Sequence, residues 1–177
     1  DRTFNGSSRR AISLLELFRE FAPGMHFHLE IHPALLSDEV KALLRELPAG
    51  LLHLEAGIQS LRENVLQACR RLGDLQEALN GLSYLASLPN LVVHADLIAG
   101  LPLYSLKQMI EDVRVLAGFG TEEIQLELLK LLPGTAMRAE AGALGIVYSP
   151  DVPYEVLQTE AMSVEDLRQA RLLSRLI

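Results

Sequence analysis

Leu91-Val92-Val93-His94-Ala95-Asp96-Leu97-Ile98, continued by Ala99-Gly100-Leu101-Pro102, decides the fold. Val93, Ala95 and Leu97 fall on one face of this stretch, and His94, Asp96, Ile98 and Gly100 on the other. The division follows because successive side chains of a strand point to opposite sides. A parallel strand covered on both faces reads instead as a nearly unbroken run of Val, Ile and Leu. Three further stretches alternate in the same way. Residues 27–32 set His28, Glu30 and His32 against Phe27, Leu29 and Ile31. Residues 51–57, with their continuation, set His53, Glu55, Gly57 and Gln59 against Leu52, Leu54, Ala56 and Ile58. Residues 124–130 set Gln125 and Glu127 against Ile124, Leu126 and Leu128. The unit His-x-acid recurs as His28-x-Glu30, His53-x-Glu55 and His94-x-Asp96.

Helical patterns lie between these strands. Residues 8–21 read as a helix stopped by Pro23-Gly24. Residues 37–47 read as a second, with Asp38 and Glu39 in the first turn, where the helix dipole favours carboxylates. Ser60-x-x-Glu63 is a capping-box signature, and its helix is expected to run to about Leu72 and stop at Gly73. Residues 74–86 form the next, ending before Pro89-Asn90; Ser105-x-x-Gln108 opens another that reaches Leu116 and stops at Gly118 and Gly120. Residues 163–177 are helical by propensity and spacing. Strand and helix thus alternate four times, the signature of βαβ units. Right-handed crossovers then set all the strand C-terminal ends on one edge.

The expected fold is therefore α/β, a partial TIM-type (β/α) barrel of about four parallel strands with outer helices. Apolar strand faces should meet the helices, and polar faces should line an interior. A closed eight-stranded barrel fills its interior with bulky branched side chains. A polar lining fits an open or wide barrel that holds a polar ligand. Two plainer accounts stay open at this stage. An antiparallel sheet with one solvated face also alternates, although helical connections argue for parallel strands. Each His and acid can equally be a satisfied structural pair.

Composition narrows the function classes. The chain has 177 residues, 49% of them hydrophobic, enough for one ordinary core. A net charge of −7, with basic residues no more clustered than Arg9-Arg10 and Arg70-Arg71, argues against nucleic acid as a partner. No apolar run reaches the roughly 18 residues needed to cross a bilayer, and no signal peptide opens the chain. The single cysteine, Cys69, makes neither an internal disulfide nor a zinc cluster, and a reducing cytoplasm is the simplest compartment. Five histidines and a single cysteine predict no metal site built from this chain. The chain opens at Asp1 with what reads as the end of a strand, so a fragment is expected, in which residues 1–149 supply barrel and residues 150–177 an appended helical segment.

Asp96-Leu97-Ile98-Ala99-Gly100-Leu101-Pro102 resembles the end of a late strand in radical S-adenosylmethionine enzymes. The nearest likeness is to the oxygen-independent coproporphyrinogen oxidase type and its cobalamin-binding relatives. Leu29-Glu30-Ile31-His32-Pro33 resembles the strand that carries a ribose-binding carboxylate. Ala56-Gly57-Ile58-Gln59-Ser60 resembles the next strand end, and Leu131-Leu132-Pro133-Gly134-Thr135 the segment that closes the last strand. Asp1-Arg2-Thr3-Phe4-Asn5 and Pro153-Tyr154-Glu155-Val156-Leu157 resemble the branch with an N-terminal cobalamin-binding domain. Each motif alone is weak; their order and spacing over nearly the whole chain give them weight together.

The resemblance implies a set of cofactor contacts. Glu30 would accept hydrogen bonds from the ribose hydroxyls of S-adenosylmethionine, and Gln59 would touch the same ribose region. Arg71, on the helix that follows, would pair with the methionine carboxylate, a role that Arg70 could also take. Asp96 would lie near the ribose, Ile98 against the adenine, and Lys130 where backbone groups meet the adenine. The chemistry suits each. A carboxylate accepts both protons of a diol, a guanidinium fork matches a carboxylate, and adenine needs an apolar wall. No catalytic residue is assigned.

The family's Cys-x-x-x-Cys-x-x-Cys triplet, which holds its 4Fe–4S cluster, is absent from this sequence. The resemblance therefore implies a radical S-adenosylmethionine oxidoreductase as the parent protein, with cobalamin left open as the business of an upstream domain, and a chain that is inactive alone. Two rivals remain. One is a non-radical (β/α)-barrel lyase using Glu and His in acid–base chemistry. The other is a non-catalytic half-barrel that binds a small ligand and self-associates through exposed strand edges.

Overall fold

A computed structural model describes residues 3–22, 24–71 and 73–177. Helix α1 (Ser8–Glu20) buries Ala11 and Leu15. Strand β1 (Phe27–Ile31) follows, then a 3-10 turn (Pro33–Leu35) and α2 (Asp38–Glu46), whose first turn is capped by Ser37 accepting from the Val40 N–H. Next come β2 (Leu52–Gln59), α3 (Glu63–Ala68), α4 (Leu75–Ala86), β3 (Val92–Ala99), α5 (Leu106–Leu116) and β4 (Glu123–Leu128). The chain ends with α6 (Ala136–Ala139), a hairpin of β5 (Val147–Tyr148) and β6 (Val156–Gln158), and α7 (Val164–Leu173). The expected helix ends at Pro23 and Leu72 fall outside the described residues.

The four long strands form one parallel sheet in the order β1-β2-β3-β4. This is the architecture that the alternating strands and helices predict, a partial TIM-type barrel. The alternation itself is physical. Leu52, Leu54, Ala56 and Ile58 are buried along β2 while the residues between them are half-buried; along β3 Val93, Ala95, Leu97 and Ala99 are buried, with Asp96 and Ile98 half-buried between them and His94 buried as well. Removing a leucine side chain from water contributes about 2 kcal/mol, so a one-residue slip of register would expose the whole set.

Two compact units divide the chain. The first is Asp1–Ile58, Gly73–Asp96 and Leu116–Ile124. Within it, α4 lies so close to the 3-10 turn that a Cβ on Gly81 would sit 2.1 Å from the Pro33 carbonyl oxygen. Asn5 is buried and ties the N-terminal segment to the end of β1. It accepts from the His32 N–H at 2.9 Å and donates to the His32 and Leu35 carbonyls. The Phe4 N–H donates to the Glu30 carbonyl at 2.9 Å beside it.

The second unit is Gln59–Leu72, Leu97–Val115 and Gln125–Ile177. Here the segment after β4 pairs with the start of β6. The Leu131 N–H donates to Tyr154 and the Val156 N–H to Leu129, each at 2.9 Å, around an antiparallel bridge between Lys130 and Glu155. Arg138 donates to the Leu131 carbonyl and lies over the rings of Tyr148 and Tyr154. Helix α7 opens with a capping box between Ser163 and Asp166.

The structure corrects three local expectations. Ser60 does not open α3. Arg62 holds the N-cap position with no side-chain cap, because the Ser60 hydroxyl is engaged by Asp112 and by the Arg62 N–H. Arg71 is not on a helix. Helix α3 ends at Ala68, and Arg70 turns left-handed at φ +52°, letting the Arg71 N–H reach back to the Leu66 carbonyl. That closure is a Schellman-type stop, reached before Gly73. Lys130 lies past the end of β4, which stops at Leu128.

Candidate functional site

In the first unit the parallel register sets His28 opposite His53 and Glu30 opposite Glu55. The His-x-acid units therefore align as rungs. The His28 and His53 rings stack with centroids 4.3 Å apart, and His53 meets His94 edge-on at 4.0 Å. The Nε2 atoms of His53 and His94 are 2.9 Å apart. A contact of that length holds one proton, so one ring donates and the other accepts. Carboxylates stand at both ends. Glu55 Oε1 is 2.8 Å from His28 Nε2, and Glu123 Oε2 is 3.6 Å from His94 Nε2. The ladder runs from a half-exposed His28 to a buried His94. Burial first, then the neighbouring His94 and His28, pull the His53 pKa below its ordinary value. Imidazoles and carboxylates in hydrogen-bond reach of one another are the groups that general acid–base chemistry uses.

The cofactor residues expected from the sequence divide between the units. Glu30 and Asp96 belong to the first, on the polar faces of β1 and β3; Glu30 is exposed and Asp96 half-buried. Gln59, Arg71, Ile98 and Lys130 belong to the second. Gln59 ends β2, half-buried, at φ +73°. Arg71 and Ile98 are half-buried. Lys130 is exposed, with its Nζ 3.6 Å from Glu127. Arg70 is engaged elsewhere: its guanidinium pairs with both oxygens of Glu140, at 2.9 and 2.8 Å.

A cluster in the second unit escaped the sequence reading. The Asp112 side chain on α5 is fully buried. Its Oδ2 accepts from the Leu61 N–H at 2.8 Å, the Tyr104 hydroxyl at 2.8 Å and the Ser60 hydroxyl at 3.3 Å. Its Oδ1 accepts from Arg62 Nε at 2.9 Å, with Arg62 Nη2 at 2.8 Å. A buried carboxylate persists only when paired and fully hydrogen-bonded, and this one is both. Burial first, then the Asp112 charge, push the Tyr104 pKa upward, so its hydroxyl stays a donor. The signal was present in the sequence. Asp112 falls on the stripe of Met109, Val113 and Leu116, where an acid is out of place.

Cys69, expected on a helix, caps the end of α3; burial pushes its thiol up to about 11, with the Arg71 charge opposing. It is a thiol rather than a thiolate at neutral pH. Among the described residues, no group of three or more His, Cys, Asp or Glu side chains is arranged to hold a metal ion. Among them also, no helix is long and apolar enough to cross a membrane.

No protein-family model matches the chain, and no curated protein matches it in sequence. Solved structures do match in fold. A radical S-adenosylmethionine methyltransferase, TsrM from Kitasatospora setae, solved with cobalamin and a 4Fe–4S cluster bound, covers 92% of this chain at a TM-score of 0.65 and 14% identity. Coproporphyrinogen III oxidase (HemN) from Escherichia coli, a radical SAM enzyme, covers 92% at a TM-score of 0.58 and 15% identity. The archaeal Elp3 from Methanocaldococcus infernus covers 67% at 0.57 and 18% identity. The chain spans 34%, 43% and 28% of those proteins. The chain thus has the fold of part of each of these structures.

Proposed function

We propose that this chain is part of a radical S-adenosylmethionine iron–sulfur oxidoreductase, and that its polar strand faces hold the cofactor. The observation that supports the reading is the fold likeness over 92% of the chain to two such enzymes. The residues present suit S-adenosylmethionine. Glu30 and Asp96 are carboxylates able to accept from ribose hydroxyls, Gln59 adds a polar contact, and Arg71 offers a guanidinium for the methionine carboxylate. Ile98 gives adenine an apolar wall, and the backbone about Lys130 gives it hydrogen-bond partners. When bound beside a reduced cluster, S-adenosylmethionine supplies a 5′-deoxyadenosyl radical that removes hydrogen from substrate.

The residues do not suit the cluster. Its ligands are several thiolates, and this chain has one cysteine. Cluster binding therefore belongs to other parts of the parent protein, and the chain alone is inactive. Cobalamin, which TsrM binds, would be held by a domain upstream. A reducing cytoplasm suits the whole.

Anaerobic reconstitution of the full-length parent with iron and sulfide tests the reading. About four irons per chain, and release of 5′-deoxyadenosine after reduction, support it; the 177-residue chain, which should do neither, is the control. A well-folded parent that binds no iron sinks it and turns attention to acid–base chemistry on the histidine ladder.

A further inference from the structure

Gln59 is the last residue of β2 and has a left-handed backbone, φ +73°. An L-residue with a side chain pays for that conformation, and it persists where the surroundings impose it. The surroundings are on the next three residues. Ser60 through its hydroxyl, Leu61 through its N–H and Arg62 through its guanidinium all donate to Asp112. The Arg62 N–H also donates to the Ser60 hydroxyl at 3.1 Å, closing the turn on itself. The carboxylate is fixed in its turn by Tyr104, which like Ser60 and Asp112 is fully buried. Arg62 is fixed further by Glu111, at 2.9 Å. Nothing in this set touches Gln59 by its side chain; all of it constrains the chain that leaves Gln59.

We propose that Asp112 is a positioning residue for Gln59. Its buried carboxylate gathers residues 60–62 so that β2 leaves the sheet through a left-handed residue, and this sets the direction of the Gln59 side chain. The proposal deepens the reading of Gln59 as a ribose contact and rests on it only for the ligand, not for the backbone. It accounts for two features that a simple core anchor does not. A buried acid stands on an apolar helix stripe, and three of its four donor residues are consecutive and begin directly after the strained one.

The test reads the backbone of residue 59 directly. In the isotopically labelled chain, its carbon chemical shifts and three-bond HN–Hα coupling report the sign of φ. The left-handed signature is expected in the native chain, to be lost in Asp112→Asn, and to return in the double variant Gln59→Gly with Asp112→Asn, because glycine adopts positive φ without cost. Retention of the signature in Asp112→Asn overturns the proposal. Where Asp112→Asn alone does not fold, Gln59→Gly is expected to restore folding, and failure to do so overturns it equally. Binding of S-adenosylmethionine to the same variants, measured by equilibrium dialysis, separates this from the ligand reading. Asp112→Asn and Gln59→Ala should each weaken binding about tenfold, and together no further, as coupled residues do. If Gln59→Ala leaves binding unchanged while the backbone signature follows Asp112, the positioning stands and the ribose role of Gln59 falls.

Discussion

At the scale of single residues, proton balance decides most of what can be predicted. His53 is half-buried beside two other imidazoles, and its pKa is lowered. The unfolded chain therefore takes up a proton on this residue before the folded chain does. Stability follows the proton difference between the two states, so it falls as pH drops below the ordinary histidine value of about 6.5, and levels once the folded state is protonated too. The melting temperature should decline as pH falls below about 6.5, and His53→Gln should flatten that decline; equal slopes in the two proteins would remove the ladder from the account. Tyr104 poses the opposite problem, since its hydroxyl never ionises in the working range. Tyr104→Phe takes one of three donors from Asp112 Oδ2. Chemical denaturation should register a loss of about 1–2 kcal/mol. The sequence showed the ladder in its His-x-acid repeats because a strand period of two is written directly in residue order. Of the Asp112 cluster it showed only an acid on an apolar stripe, because three of the four donor residues lie about fifty residues away in the connection after β2.

At the scale of elements, local chemistry was legible where it was self-contained. Ser37, Asp74 and Ser163, where the sequence reading starts three helices, each cap the helix that follows, accepting from Val40, Glu77 and Asp166. Ser60 looked equally like a cap and is not one, since a buried carboxylate competes for its hydroxyl and wins. The hairpin of β5 and β6 gave no strand signal, being only two and three residues long. The close approach of α4 to the 3-10 turn is likewise a tertiary fact, and it yields a prediction. Alanine at position 81 gains about 1 kcal/mol in helix propensity over glycine. Its Cβ, however, would lie 2.1 Å from the Pro33 carbonyl oxygen, against backbone that has no rotamer to change. Overpacking of this kind costs about 3 kcal/mol, so Gly81→Ala should lose about 2 kcal/mol in urea unfolding. A stabilised variant would mean that α4 can withdraw from the turn at little cost.

At the scale of the whole molecule, the sheet order β1-β2-β3-β4 leaves β1 as an edge strand, and edges recruit other chains. The expectation of self-association rested on edges being bare, yet the residues before α1 work against it. In a parallel strand, alternate residues turn their N–H and C=O toward the same side. Phe27 donates to Leu51, just before β2, so Glu30 and His32 face outward. Those outward groups meet Phe4 and Asn5: the Glu30 carbonyl takes the Phe4 N–H, and the His32 N–H and carbonyl are both answered by the Asn5 amide. One side chain thus stands in for a strand. Asn5→Ala would leave that N–H and carbonyl exposed at the edge and remove a buried amide with three hydrogen bonds. The loss is about 2 kcal/mol of stability. The informative readout is association: sedimentation velocity should show the native chain less self-associated than Asn5→Ala at equal concentration, with the difference growing as concentration rises. If the variant is less stable but no more associated, Asn5 is a fold anchor alone and some other segment guards the edge. If the native chain already associates as strongly as the variant, the contact lies elsewhere on the molecule and β1 is not where copies meet.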